Sequence, residues 1–140
     1  MPANTEPIFS RMPDVQWGGP ITAANTTADL TSGTIYLVWT ADATNGGYLE
    51  RLRFRSTPAG NTSLTVARIW INNGSATGTA ANNTLYDEVT LPVTNSSGTL
   101  ATQPYESVMQ LALPAGYRVY VTIHTASANG WFATGVGGKY

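Results

Sequence analysis

The sequence predicts an all-β fold, a jelly-roll-like antiparallel β-sandwich of about eight strands with an extended amino-terminal arm. Three observations carry this. Short segments rich in Val, Ile, Thr, Tyr and Trp alternate apolar and polar side chains with period two, the pattern of half-buried strands. Between them lie turns built from Asn, Gly and Pro, residues that tolerate or fix the backbone angles of tight reversals. No window carries a helical apolar stripe with caps.

The chain opens on a stretch unlike the rest. Pro2, Pro7, Pro13 and Pro20 each fix φ and remove a backbone donor. Residues 1–30 are therefore expected as an extended arm that does not pair continuously, ahead of a sandwich domain over residues 31–140. Ile8, Phe9, Met12, Val15 and Trp17 dot the arm with apolar side chains. Such an arm needs a surface to lie on, either its own domain or a neighbouring subunit. A short strand near residues 17–22 is possible.

Strands are expected at residues 34–40 (TIYLVWT), 48–56 (YLERLRFRS), 64–72 (LTVARIWIN), 85–93 (LYDEVTLPV), 107–113 (SVMQLAL), 117–125 (YRVYVTIHT) and 131–137 (WFATGVG). Strict alternation in the second puts Glu50, Leu52 and Phe54 on one face and Leu49, Arg51, Arg53 and Arg55 on the other. In the third, Ala67, Ile69 and Ile71 oppose Val66, Arg68 and Trp70. In the sixth, Tyr117, Val119, Val121 and Ile123 oppose Arg118, Tyr120, Thr122 and His124. Residues 73–83 (NGSATGTAANN) have almost no apolar anchor and are expected as a surface excursion.

Composition bounds the function. Hydrophobic residues make up 42% and charged ones only 11%, against roughly 25% charge in ordinary domains. The net charge of −1 gives no global field to attract nucleic acid or a membrane surface. The amino terminus lacks the basic and apolar regions of a signal peptide, so a soluble protein is expected. Five N-x-S/T sequons begin at Asn25, Asn61, Asn73, Asn82 and Asn95, and read as by-products of Asn- and Thr-rich loops.

The residues offer little for catalysis. Cys is absent and His124 is the single histidine. On its strand it could serve as a base, but it reads more simply as a solvated or interface residue. Asp87 and Glu88 are adjacent on a strand and so point to opposite faces, unlike the convergent carboxylates of glycoside hydrolysis. A zinc site would need three carboxylates beside His124. Neither a calcium loop nor a phosphate-binding glycine loop is present. The sequence thus predicts a non-enzyme with no catalytic, metal or cofactor residues.

Two clusters remain. Arg51, Arg53 and Arg55 share one strand face and make up three of the seven basic residues. They form either a solvated face balanced by cross-strand acids or a contact for an acidic protein surface. Nucleic acid is less well matched, since the net charge is negative and no stacking aromatic interleaves the arginines on their face. The second cluster is aromatic: Trp39, Trp70, Trp131, Tyr48, Tyr86, Tyr105, Tyr117 and Tyr120. These are expected in the core or a subunit interface, the alternative being a sugar-stacking platform.

The run ANTEPIF, GTIYLVWTA, LERLRFRSTPAGNTSLTVARIWINNGS, LYDEVTLPVT and LALPAGYRVYVTIHTASANGW, with a glycine-rich end, resembles the small jelly-roll cement or decoration proteins of tailed bacteriophages. The likeness extends from about residue 34 to the end of the chain. Its motifs specify a β scaffold more than a task, and head fibres and tail modules share them. The resemblance implies a virion structural protein on the capsid exterior, assembled in the host cytoplasm. It would bind the major capsid protein across subunit joints and itself as a homo-dimer or homo-trimer, with no nucleic acid, membrane or cofactor. Ile8, Phe9, Trp17, Arg51, Arg53 and Arg55 would then make the capsid or subunit contacts. The alternative is a carbohydrate- or receptor-binding module of a phage head fibre or tail.

Overall fold

The structure, a computed structural model, describes residues 10–27 and 29–140. These hold eight strands: β1 (Met12–Ile21), β2 (Tyr36–Thr40), β3 (Gly47–Ser56), β4 (Thr65–Asn72), β5 (Asn83–Leu91), β6 (Tyr105–Leu113), β7 (Arg118–Ile123) and β8 (Trp131–Lys139). They form two four-stranded sheets of order β1-β8-β3-β6 and β2-β7-β4-β5, with antiparallel neighbours. This is the strand order of a jelly roll. All seven strands expected after residue 31 form, within a few residues of their expected ends.

The period-two pattern points one side of each sheet inward. From the first sheet come Leu49, Leu52, Phe54, Met109, Trp131 and Ala133; from the second come Trp39, Ala67, Ile69, Leu91, Val119, Val121 and Ile123. Trp39 is wholly buried and reaches across to the first sheet. A Cβ on Gly135 would lie 2.9 Å from its Cδ1, and one on Gly47 would lie 2.8 Å from its Cη2. Both glycines therefore leave their side-chain space to the indole. This explains the glycine-rich last strand, where any larger residue at position 135 would collide with Trp39.

The expected arm needs correction over residues 12–30. Residues 12–18 pair continuously with β8, so β1 is an edge strand of the first sheet. Prolines are tolerated there because an edge strand leaves one row of donors unused. Gly19, at φ 124°, sits in the bulge that ends the regular pairing. Gln16 then clips the two sheets together: its Nε2 donates to the Thr40 carbonyl (2.8 Å), and the Thr40 N–H donates to its Oε1 (2.9 Å).

The loop after β1 also belongs to the domain. Buried Asn25 donates through Nδ2 to the carbonyls of Ser32 (3.0 Å) and Thr34 (3.1 Å), and its Oδ1 accepts from the Thr27 N–H. This fold of the loop lays Leu30 on Trp70 and Tyr120, a second apolar cluster on the outside of the second sheet. The Asn25 sequon nitrogen is thus committed within the fold. The excursion between β4 and β5 is anchored by amides instead of apolar groups. Asn72 donates to Asn83 (2.7 Å), Asn73 to Asn82 (3.2 Å), Asn82 to the Ala76 carbonyl (2.9 Å) and Asn83 to the Thr77 carbonyl (2.8 Å).

Two outcomes are expected. Gly135→Ala should destabilise the domain by about 1–3 kcal/mol through overpacking against Trp39. Combined with Trp39→Phe, it should cost less than the sum of the two single changes, as read by a urea-denaturation double-mutant cycle. Gln16→Leu should cost about 1–3 kcal/mol by stranding the polar groups of Thr40, measured the same way.

Candidate functional site: the outer face of the first sheet

β3 contains a bulge between Leu49 and Arg51, which corrects the simple alternation expected for it. Leu49 is fully buried beside Leu52 and Phe54, whereas Glu50 is exposed. Beyond the bulge, Arg51, Arg53 and Arg55 alternate outward as expected. Neighbouring guanidinium groups therefore leave the strand at intervals of about 7 Å.

Strand order brings Trp17 onto the same face. Val15 on β1 lies level with Val136 on β8, Arg51 on β3 and Val108 on β6. In the next row stand Trp17, Thr134, Arg53 and Glu106. In the third, Phe132 is level with Arg55. Trp17 and Arg53 are separated by one intervening strand, about 10 Å. Trp17 is 69% exposed, Val108 65%, Val15 52% and Phe132 37%. The other three tryptophans are buried, two in the core and one beneath the Leu30 loop. The loop around Leu30 thus covers Trp70 and Tyr120 on the outer face of the second sheet, while Trp17, Val15 and Val108 stay exposed on the first.

The charges are unevenly matched. Glu106 lies 4.0 Å from Arg51 Nε and 3.9 Å from Arg53 Nε, and Glu50 lies 3.8 Å from Arg51 Nη1. These are loose, half-exposed pairs worth little in stability. Among the described residues neither Nε has a hydrogen-bond acceptor. Among the described residues no carboxylate pairs with Arg55. With three arginines against two glutamates, the face is net positive in a chain of net charge −1.

The sequence named Trp17 and the three arginines, and the fold gathers all four. Ile8 and Phe9 lie outside the described residues. Val15, already named with Trp17 among the apolar side chains of the arm, shares its strand face at spacing two. Val108 and Phe132 were missed, because their places on this face depend on pairing partners far apart in sequence.

The remaining candidates are held elsewhere. His124 is exposed on the second sheet, its Nδ1 3.4 Å from Arg68 Nη1. Arg68 also pairs with Glu88 at 2.9 Å, while Asp87 accepts from the Ser107 hydroxyl on the inner side of the sheet edge. Asp42, in the turn between β2 and β3, is held below the usual carboxylate range by the N–H groups of Asn45 and Thr44. Among the described residues no three His or acidic side chains cluster to hold a metal. No described helix is long and apolar enough to cross a membrane.

The described residues therefore form an eight-stranded jelly-roll domain with a loop packed over part of one outer face and an exposed tryptophan on the other. No protein-family model and no curated protein sequence matches it. Among solved structures it is similar to a chain described as "Structure of infectious bursal disease virus Gt strain", at 15% identity and a TM-score of 0.29. That similarity covers 91% of this chain and 32% of the viral one, so this chain spans about a third of its length.

Arg53→Glu and Trp17→Ala are each expected to leave the thermal midpoint within about 2 °C of the parent, since Trp17 is exposed and the half-exposed Arg53 makes only a loose ion pair. A calorimetric scan checks this. A larger fall would place the face in an intramolecular network.

Proposed function

We propose that this protein is a virion structural protein, a cement or decoration protein that docks on the exterior of a phage capsid through the outer face of its first sheet. It takes no part in catalysis and needs no cofactor. The observation that carries this reading is the bare face itself: one tryptophan left outside, flanked by valines and by a net-positive arginine stripe. A domain that buries three of its four tryptophans and leaves the fourth exposed on the first sheet has a surface suited to a partner.

Size refines the proposal. A four-stranded face of this length offers roughly 600 Å², somewhat below the ~800 Å² per partner of a standard specific interface. One such contact is modest. Repetition over a shell, or a dimer or trimer engaging several sites at once, multiplies it through avidity. The partners proposed are the major capsid protein and further copies of this chain; nucleic acid and membrane are not proposed. The residues before β1, with Ile8 and Phe9, would extend the same contact.

A carbohydrate- or receptor-binding role in a head fibre or tail is the second reading. Its support is the exposed Trp17 indole beside the polar groups of Thr134, Arg53 and Glu106, a grouping that can stack on and hydrogen-bond a sugar ring.

The test is co-sedimentation with empty shells assembled from the major capsid protein encoded in the same genome. Trp17→Ala and Arg53→Glu should each lower occupancy about tenfold, the scale of a central interface residue. Removing residues 1–9 should lower occupancy while leaving the fold intact; removing residues 1–20 deletes β1 and should unfold the first sheet. Full decoration by both point variants contradicts the proposal. Binding on a glycan array that disappears with Trp17→Ala would favour the second reading.

A further inference from the structure

Resting on the docking-face reading, we infer that the end of the arginine stripe at Arg55 is a preformed subsite for a carboxylate side chain of the protein partner. Three observations meet there. Arg51 and Arg53 share Glu106 at 4.0 and 3.9 Å, whereas Arg55 is exposed and has no carboxylate partner among the described residues. Arg55 also lines a cleft of about 250 Å³ with Ser96, Ser97, Leu100 and Thr102. That volume equals about eight waters of liquid, room for one or two side chains and too little for an extended ligand.

Hydrogen bonds anchor both ends of the cleft-wall segment. The Ser56 hydroxyl donates to Thr102 Oγ1 (2.9 Å), the Ser96 N–H donates to Asn61 Oδ1 (2.8 Å), and the Ser96 hydroxyl donates to the Pro58 carbonyl. A side chain entering the cleft would not have to order a loose loop, which is the usual cost of binding on a surface. Apolar side chains stand close to Arg55: Leu100, 76% exposed, lines the cleft, and Phe132 is level with Arg55 on the neighbouring strand. Apolar neighbours that close over an ion pair exclude water and strengthen it, the usual surroundings of an arginine that dominates an interface.

The chemistry favours a carboxylate over a phosphate. A single unpaired guanidinium matches a monoanion in charge and can hold it with two parallel hydrogen bonds. A phosphate drawing also on Arg53 would lie next to Glu106 and be repelled. Pairing with a second copy through this same face is disfavoured, because it brings two net-positive stripes together.

The experiment follows the intact chain by nitrogen–proton correlation spectra during titration with acetyl-Gly-Glu-Gly-amide. The glutamate peptide should shift the Arg55 Nε–H and the Ser97 and Leu100 amides. The effect should be lost in Arg55→Gln, kept in Arg51→Gln, absent with the glutamine peptide, and diminished at about 0.5 M salt. Shifts that persist in Arg55→Gln, or no shift at all, overturn the subsite. A response to sialyllactose but not to the peptide overturns it in favour of an acidic sugar. On shells, Arg55→Glu should reduce occupancy about tenfold and Arg51→Glu less than about threefold. Equal effects of these two variants, with Trp17→Ala still disruptive, would remove the subsite and leave the docking face standing. Peptide binding at Arg55 with no effect of any variant on shells would retain the subsite and reject the shell.

Discussion

The fold depends on a single packing constraint, the accommodation of the Trp39 indole between the sheets. Its ring spans the sandwich and rests on backbone at Gly47 and Gly135, where a Cβ would come within 3 Å. Interiors packed to crystal-like density do not absorb such an overlap cheaply. The glycines bring the first sheet close to the second along β3 and β8. The same approach places β1 near β2, where Gln16 can reach both polar groups of Thr40. A smaller residue at position 39 would leave a cavity, and a larger one at position 135 would push the sheets apart.

That inward arrangement determines what lies outside. The bulge at Glu50 keeps Leu49 and Leu52 together in the core despite their odd spacing, and sends Arg51, Arg53 and Arg55 outward. Because β8 lies between β1 and β3, the stripe acquires Trp17, Val15 and Phe132 as neighbours. The Leu30 loop covers Trp70 and Tyr120 on the other sheet. The two outer faces are therefore inequivalent, and the inequivalence comes from a loop held by the amide of one asparagine, Asn25.

Much of this was legible in the residues. Period-two alternation located the strands, because burying one face of a sheet imposes that period. The outward arginines followed from the same rule. The bulge was not legible, since the extra residue is defined by pairing with β8, which lies far away in sequence. The pairing of β1 was masked by its prolines, which argue against a central strand and not against an edge one. Leu30 was lost in a polar loop, where a single leucine gives no periodic signal. Trp17 and Arg53 could be named singly, but their meeting is a property of strand order. The floor beneath Trp39 was visible only as a glycine-rich end, with no hint of the ring that requires it.

The proposed docking puts the first sheet against a shell and the Leu30 loop toward solvent. A cryo-electron-microscopy reconstruction of shells decorated with the full chain tests this most directly. Docking through the first sheet predicts Trp17, Arg53 and Arg55 against the capsid surface, with the Leu30 loop on the outside of the particle. A reconstruction with the Leu30 loop against the shell and Trp17 in open solvent would contradict it.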